Sequence, residues 1–187
     1  MLFRSLRLGP VWPGLVLAAL GSAIGASALT YAPRDAMRVA LPIVIGAVAL
    51  YFALSPRLSD AASRPRLKRP AFVATVVPLV GFYDGVFGPG AGSFYMLGFV
   101  ALLGLGIVAA TAETKAVNFA SNIAGLATLA FSGQIFWVVG FLMGAAQIAG
   151  ASLGARAAIR TGARLIKPLV VGVSLLLALK LAADAVK

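Results

Sequence analysis

Six long apolar runs, two short basic stretches and one glycine-rich interruption set the pattern of this chain. A helix needs about 20 mostly apolar residues to cross the hydrocarbon of a bilayer. Runs at residues 11–31, 37–54, 111–131, 135–155 and 165–183 therefore each predict a transmembrane helix. The remaining run, residues 71–110, is mostly apolar and is broken in its middle at 81–93. Residues 55–70 carry Arg57, Arg64, Arg66, Lys68 and Arg69 against Asp60, and a second basic stretch holds Arg156, Arg160, Arg164 and Lys167 with no acid. The pattern predicts an all-α fold, a polytopic transmembrane helical bundle. Its divisions are an N-terminal helix pair over 1–54, a basic cytoplasmic linker over 55–70 and four to five helices over 71–187.

The first helix pair recurs. Trp12 aligns with Trp137, and Gly25-Ala26-Ser27 with Gly150-Ala151-Ser152 at the same offset. After a one-residue gap, Pro42-Ile43-Val44-Ile45-Gly46 aligns with Pro168-Leu169-Val170-Val171-Gly172. Residues 12–54 and 137–180 thus read as two copies of one unit, and internal repeats are a signature of transporter folds. Basic connectors favour the cytoplasmic side. With both connectors there, an even number of crossings separates them, helix 11–31 runs outward, helix 135–155 runs inward, and the partial repeat is inverted. Seven crossings then place Lys187 outside. Arg4, Arg7 and Ala26-Ser27-Ala28 also resemble a cleavable signal, but the recurrence of this segment as an internal helix favours a permanent span.

Composition agrees with lipid as the medium. Hydrophobic residues make up 61% of the 187 residues, charged ones 11%, and the mean hydropathy is +1.00. Soluble domains carry about 25% charged residues and could not cover their surface with so few. The net charge of +11 comes from basic residues gathered at the N-terminus and in connectors, so it reads as membrane sidedness rather than nucleic-acid binding. Absence of Cys and His excludes disulfides, thiolate or imidazole metal sites and His- or Cys-based nucleophiles. No cofactor or metal is expected, nor an enzyme. The pairs Gly21/Gly25, Gly140/Gly144 and Gly150/Gly154 allow close helix packing, either within the bundle or in a homodimer.

Two features carry candidate chemistry. Gly81, Gly85, Gly88, Pro89, Gly90 and Gly92 crowd thirteen residues, a density that predicts a break in the helix. Irregular backbone at membrane depth is tolerated where it is buried in protein or lines an aqueous cavity. A helix restarting near Ser93 would aim its free N–H groups into that cavity, a feature shaped for an anion. The other reading of the same stretch is an extramembrane hairpin between two spans. In the following helix, Thr111, Lys115, Asn118, Asn122 and Gly125 recur at helical spacing and predict a polar stripe turned to the bundle interior. Alternatively, Glu113 and Lys115 simply mark its water-exposed start. Gln147 fits equally as helix–helix glue or as a substrate contact.

The stretch Gly81-Phe82-Tyr83-Asp84-Gly85-Val86-Phe87-Gly88-Pro89-Gly90-Ala91-Gly92-Ser93-Phe94, then Thr111-Ala112-Glu113-Thr114-Lys115 with Asn118 and Ser121-Asn122, then Gly150-Ala151-Ser152-Leu153-Gly154-Ala155-Arg156, resembles the TauE/SafE sulfite exporter family, also called toluene-sulfonate uptake permeases. The resemblance implies a multi-pass protein of the bacterial plasma (inner) membrane that moves small sulfur-containing anions such as sulfite or organosulfonates. It also implies about eight helices in two related halves, each opening with a glycine-rich break. No such break or TKxxN-like helix lies upstream of residue 11, so the first part of the N-terminal half is expected to be missing. Alternatives to a secondary carrier are a passive anion channel or a truncated, non-transporting membrane subunit. The candidate substrate-binding residues are Gly88, Gly90, Gly92, Ser93, Lys115, Asn118 and Asn122. Asp84 and Glu113 are candidates for a coupling proton or for pairing with Lys115.

Overall fold

A computed structural model describes residues 8–54, 64–133, 135–161 and Leu176, and every regular element among them is an α-helix. The helices are α1 (Leu8–Tyr31), α2 (Arg34–Leu54), α3 (Arg69–Val86), α4 (Ala91–Ala101), α5 (Ile107–Phe131) and α6 (Trp137–Thr161). The protein is a helical membrane protein. Among the described residues, Val11–Tyr31 and Trp137–Gly154 are long and apolar enough to cross a membrane. Helices α3 and α5 carry polar residues within their apolar stretches, Asp84 in one and Glu113, Lys115, Asn118 and Asn122 in the other. The expected helix over 165–183, the second copy of the Pro42 segment and the side of Lys187 lie outside the described residues.

The described residues fall into two compact units, 8–32 with 64–133 and 33–54 with 135–161. The first unit contains α1, α3, α4 and α5. Helices α1 and α3 run parallel in close contact, because glycines on each remove the side chains that would hold them apart. A Cβ at Gly81 would lie 2.5 Å from the Ala18 carbonyl oxygen, and one at Gly85 would collide with the Ser22 carbonyl. From the other side, Gly21 faces the Pro78 carbonyl and Gly25 the Phe82 carbonyl. Helix α5 joins α1 in the same direction, with Gly14 against Val117 and Gly125 against the Ser22 hydroxyl. Phe72, Val77, Tyr95, Phe99 and Val117 are fully buried at the centre of this unit.

Helix α4 runs back against α3. Its eleven residues rise only ~16 Å, about half the hydrocarbon thickness. At its end the Leu102 carbonyl accepts the N–H groups of Arg66 (2.8 Å) and Leu67 (3.0 Å), which precede α3. The segment 64–102 therefore leaves and returns to one end of the unit, and α5 starts from that same end. The broken segment is thus a helical hairpin, α3 followed by the shorter α4. The break itself is narrower than the expected 81–93: α3 stays helical through Gly81 and Gly85, and α4 begins at Ala91. Those two glycines are there for close approach to α1, not to end the helix.

In the second unit, α2 begins with an exposed Asp35–Arg38 pair at 3.8 Å, worth little in water. Along α6 the large apolar side chains Phe141, Leu142, Met143, Ile148 and Leu153 are all exposed, and the space around Gly144, Gly150 and Gly154 is open. An apolar surface of that extent is suited to lipid rather than water.

Candidate functional site

The turn between α3 and α4 spans residues 87–90. Gly88 (φ 80°) and Gly90 (φ 87°) take left-handed backbone conformations that other residues rarely adopt. Breaking a helix inside an apolar bundle leaves backbone groups that must find partners. Here the Phe87 N–H reaches the Tyr83 carbonyl at 2.9 Å, the Ala91 N–H reaches Gly88 at 3.3 Å, and the N–H groups of Ser93 and Phe94 share the Gly90 carbonyl. The Tyr83 hydroxyl donates to the Pro89 carbonyl at 2.6 Å, and its ring packs edge-on against Phe94 with centroids 5.1 Å apart. No turn carbonyl takes the N–H of Gly92 among the described residues.

Asn118 of α5 stands beside Gly92. Its side chain lies 3.7–3.9 Å from where a Cβ on Gly92 would be, and it has no hydrogen-bond partner among the described residues. The first turn of α4 thus opens onto a half-buried carboxamide able to donate, with the positive end of the helix dipole behind it. One turn along α5, Ser121 is fully buried; its hydroxyl donates to Asp84 of α3 and lies 3.0 Å from the Asn118 carbonyl oxygen. Asn122 donates to that same carbonyl at 2.6 Å.

The structure brings Asp84, Gly88, Gly90, Gly92, Ser93 and Asn118 to one end of the α3–α4 hairpin. Lys115 and Asn122 are instead exposed on α5, together with Phe119, Ile123 and Leu126. The buried face of α5 runs through Thr114, Val117, Ser121 and Gly125, about a quarter turn from the expected stripe. Asn118 lies on the edge between the two faces. Thr111 and Thr114 turn their hydroxyls toward the Met96 sulfur of α4 at 3.8 and 3.9 Å.

Glu113 pairs with Arg69 at 2.6 Å, not with Lys115. The pair joins the first turn of α3 to α5 at the end opposite the turn, with side chains 34% and 13% exposed. Arg69 also has a buried Nε without a partner among the described residues. Charge-assisted contacts of this kind contribute ~1.5–3 kcal/mol, and removal of one partner strands the other. Glu113→Gln is therefore expected to lower thermal stability in detergent by about 2 kcal/mol. The reversed pair, Arg69→Glu with Glu113→Arg, should recover part of that loss. Equal stability of wild type and Glu113→Gln would show that the pair holds nothing.

Sequence reasoning passed over Ser121, Tyr83 and Arg69 as site residues. Ser121 was open to discovery by its place three residues after Asn118; nothing local marks Arg69, whose partner lies 44 residues away.

Relatives add an independent line. A protein of Sinorhizobium sp described as "Probable membrane transporter protein ORF9" is 48% identical over 172 residues, covering 92% of this chain and 66% of the relative. One from Haemophilus influenzae, described as "Probable membrane transporter protein", is 40% identical over 97% of this chain and 71% of its own length. "Probable membrane transporter protein YfcA" of Escherichia coli K12 is 40% identical over 89% and 62%. The chain spans about two thirds of the length of these relatives. No solved structure matches it. The sequence pattern of the family described as "Sulfite exporter TauE/SafE" matches residues 2–181, a stretch that takes in the glycine turn, Asp84 and Asn118. The chain belongs to the sulfite exporter TauE/SafE family.

Proposed function

We propose that this chain serves a secondary carrier that moves a small sulfur-containing anion, such as sulfite or an organosulfonate, across the bacterial plasma membrane. The observation that carries the reading is the start of α4, where the Gly92 N–H and the nearby Asn118 carboxamide have no hydrogen-bond partner among the described residues. A helix N-terminus and an amide donor hold an oxyanion by hydrogen bonds and dipole without a fixed countercharge. Binding without a full ion pair allows release, which a carrier requires. Ser93 sits in the first turn of α4, and Gly88 and Gly90 shape the turn that precedes it. Lys115 stands outside this cluster, so the reading rests on Asn118 and the α4 terminus. By the positive-inside rule, the shared end of α1, α3 and α5, close to the basic linker, is cytoplasmic.

Reconstitution into proteoliposomes with radiolabelled sulfite tests this. Saturable uptake with counterflow is the expected result, and Lys115→Ala should change it less than Asn118→Ala does. Ohmic anion currents in a planar bilayer, without saturation, would make the protein a pore. Absence of any sulfite or sulfonate flux would end the proposal.

A further inference from the structure

By sequence, Asp84 and Glu113 are equal candidates for the group that titrates during transport. The structure separates them. Glu113 is neutralised by Arg69, whereas Asp84 has no cationic partner among the described residues. Asp84 instead takes the Ser121 hydroxyl on Oδ2, and that hydroxyl lies 3.0 Å from a second acceptor, the Asn118 carbonyl. A serine hydroxyl has one proton to give and lone pairs to receive. With Asp84 ionised, Ser121 donates to the carboxylate. With Asp84 protonated, the carboxyl donates to Ser121, and Ser121 turns its own proton to the Asn118 carbonyl. Both states are hydrogen-bonded with the same heavy-atom positions, so a proton can bind and leave without repacking the helices.

Among the described residues no cation pairs with Asp84. The Tyr83 hydroxyl of α3 donates to Pro89; the Tyr95 hydroxyl of α4 donates to the Val77 carbonyl at 3.3 Å and also faces Ser121 and Asp84, an uncharged neighbour that leaves the carboxylate uncompensated. Helix α1 brings the backbone of Ser22 and Ala26 against the neighbouring Gly85. On α5, Glu113 and Lys115 lie roughly two turns before Ser121, one paired to Arg69 and the other exposed. Ser121 is bonded to the backbone of Asn118, the residue that faces the free end of α4. An ionised Asp84 therefore opposes an anion bound at that end, and a neutral one does not.

We infer that Asp84 takes up one proton for each anion bound, so that proton and anion load together and leave together, with Ser121 as the positioning residue. This rests on the carrier reading above. The step forms an O–H bond on the Asp84 carboxylate, with a proton from the compartment that supplies the anion. The bond breaks on the opposite side, and no other reactant is consumed.

The full chain in proteoliposomes, with isethionate as the transported anion, tests the inference. A sulfonate stays ionised at all working pH values, so any proton that moves is not carried by the substrate. With trapped pyranine reporting internal pH, wild type is expected to move one proton per isethionate in the same direction. In Asp84→Asn that ratio should fall to zero, and in Asp84→Glu it should remain at one with a displaced pH profile. Ser121→Ala should displace the pH profile of wild type as well, a change that a purely structural serine would not produce. Isethionate moving without protons in wild type overturns the inference. So does Asp84→Asn carrying protons at the wild-type ratio. If Asp84→Asn moves no anion, Asp84→Glu decides, and a pH profile superimposable on wild type overturns it. Wild type moving neither isethionate nor sulfite defeats the carrier reading itself, which distinguishes that failure from a failure of coupling.

Discussion

A Gly85→Val variant is expected to lose about 3 kcal/mol of stability or fail to assemble, the largest effect of any single substitution considered. The contact it disturbs is backbone against backbone. A Cβ at Gly85 would run into the Ser22 carbonyl and would approach the Ala26 nitrogen to 2.7 Å. No rotamer change relieves that, because the obstructing atoms belong to the α1 main chain. Helices α1 and α3 would have to separate, and α3 carries Asp84 and leads into the glycine turn. Thermal unfolding in detergent, followed by the loss of monodisperse protein, measures the effect. Gly144→Val on α6, where nothing lies within 4 Å, is the matched control and should unfold within about 1 kcal/mol of wild type. Similar losses in both variants would mean that the α1–α3 contact is not the seam described.

The second large effect belongs to Asn118→Ala, expected to lower the transport rate at low substrate by about tenfold to a hundredfold. A hydrogen bond to a charged ligand contributes ~1.5–3 kcal/mol, and each 1.4 kcal/mol is tenfold. The carboxamide has no partner in the protein to lose among the described residues, so its removal costs the fold little. Ser121 keeps the Asn118 carbonyl, which is backbone and survives the substitution. Loss of flux with unchanged thermal stability is therefore the signature. A flux within twofold of wild type would remove Asn118 from the site.

How much of this was legible in the sequence depends on what each residue is used for. The turn was: Gly88-Pro89-Gly90 breaks a helix wherever it falls, and the left-handed φ angles at both glycines show why. Gly81 and Gly85 carry the same letter but serve the opposite purpose, since lack of a Cβ lets α1 approach an intact helix. Spacing revealed Gly21/Gly25 as a packing pair, yet it named no partner. On α5 the polar residues were visible, but the buried face was misplaced by about a quarter turn. In a soluble protein the apolar face marks the interior; in lipid both faces can be apolar, and small residues such as Ser121 and Gly125 mark the protein side. Arg69 sat among linker charges that already had an explanation in membrane sidedness, so its contact with Glu113 was hidden.

The helix restart was expected near Ser93 and begins at Ala91, and Asp84 emerged with Ser121 rather than with Lys115. Both shifts tighten the site. Its polar groups now come from three helices that meet at one turn.

The protein contains no cysteine, so a single introduced thiol is unique. Ser93→Cys places one in the first turn of α4, beside the amides held to bind the anion, and Lys68→Cys places another ahead of α3 at the far end of the hairpin. The decisive measurement is the rate of N-ethylmaleimide modification of each in membranes, with and without saturating isethionate. The account predicts that isethionate slows modification at Ser93→Cys severalfold and leaves Lys68→Cys unchanged. Equal rates with and without isethionate at Ser93→Cys, in a variant that still transports, would contradict an anion site at the end of α4.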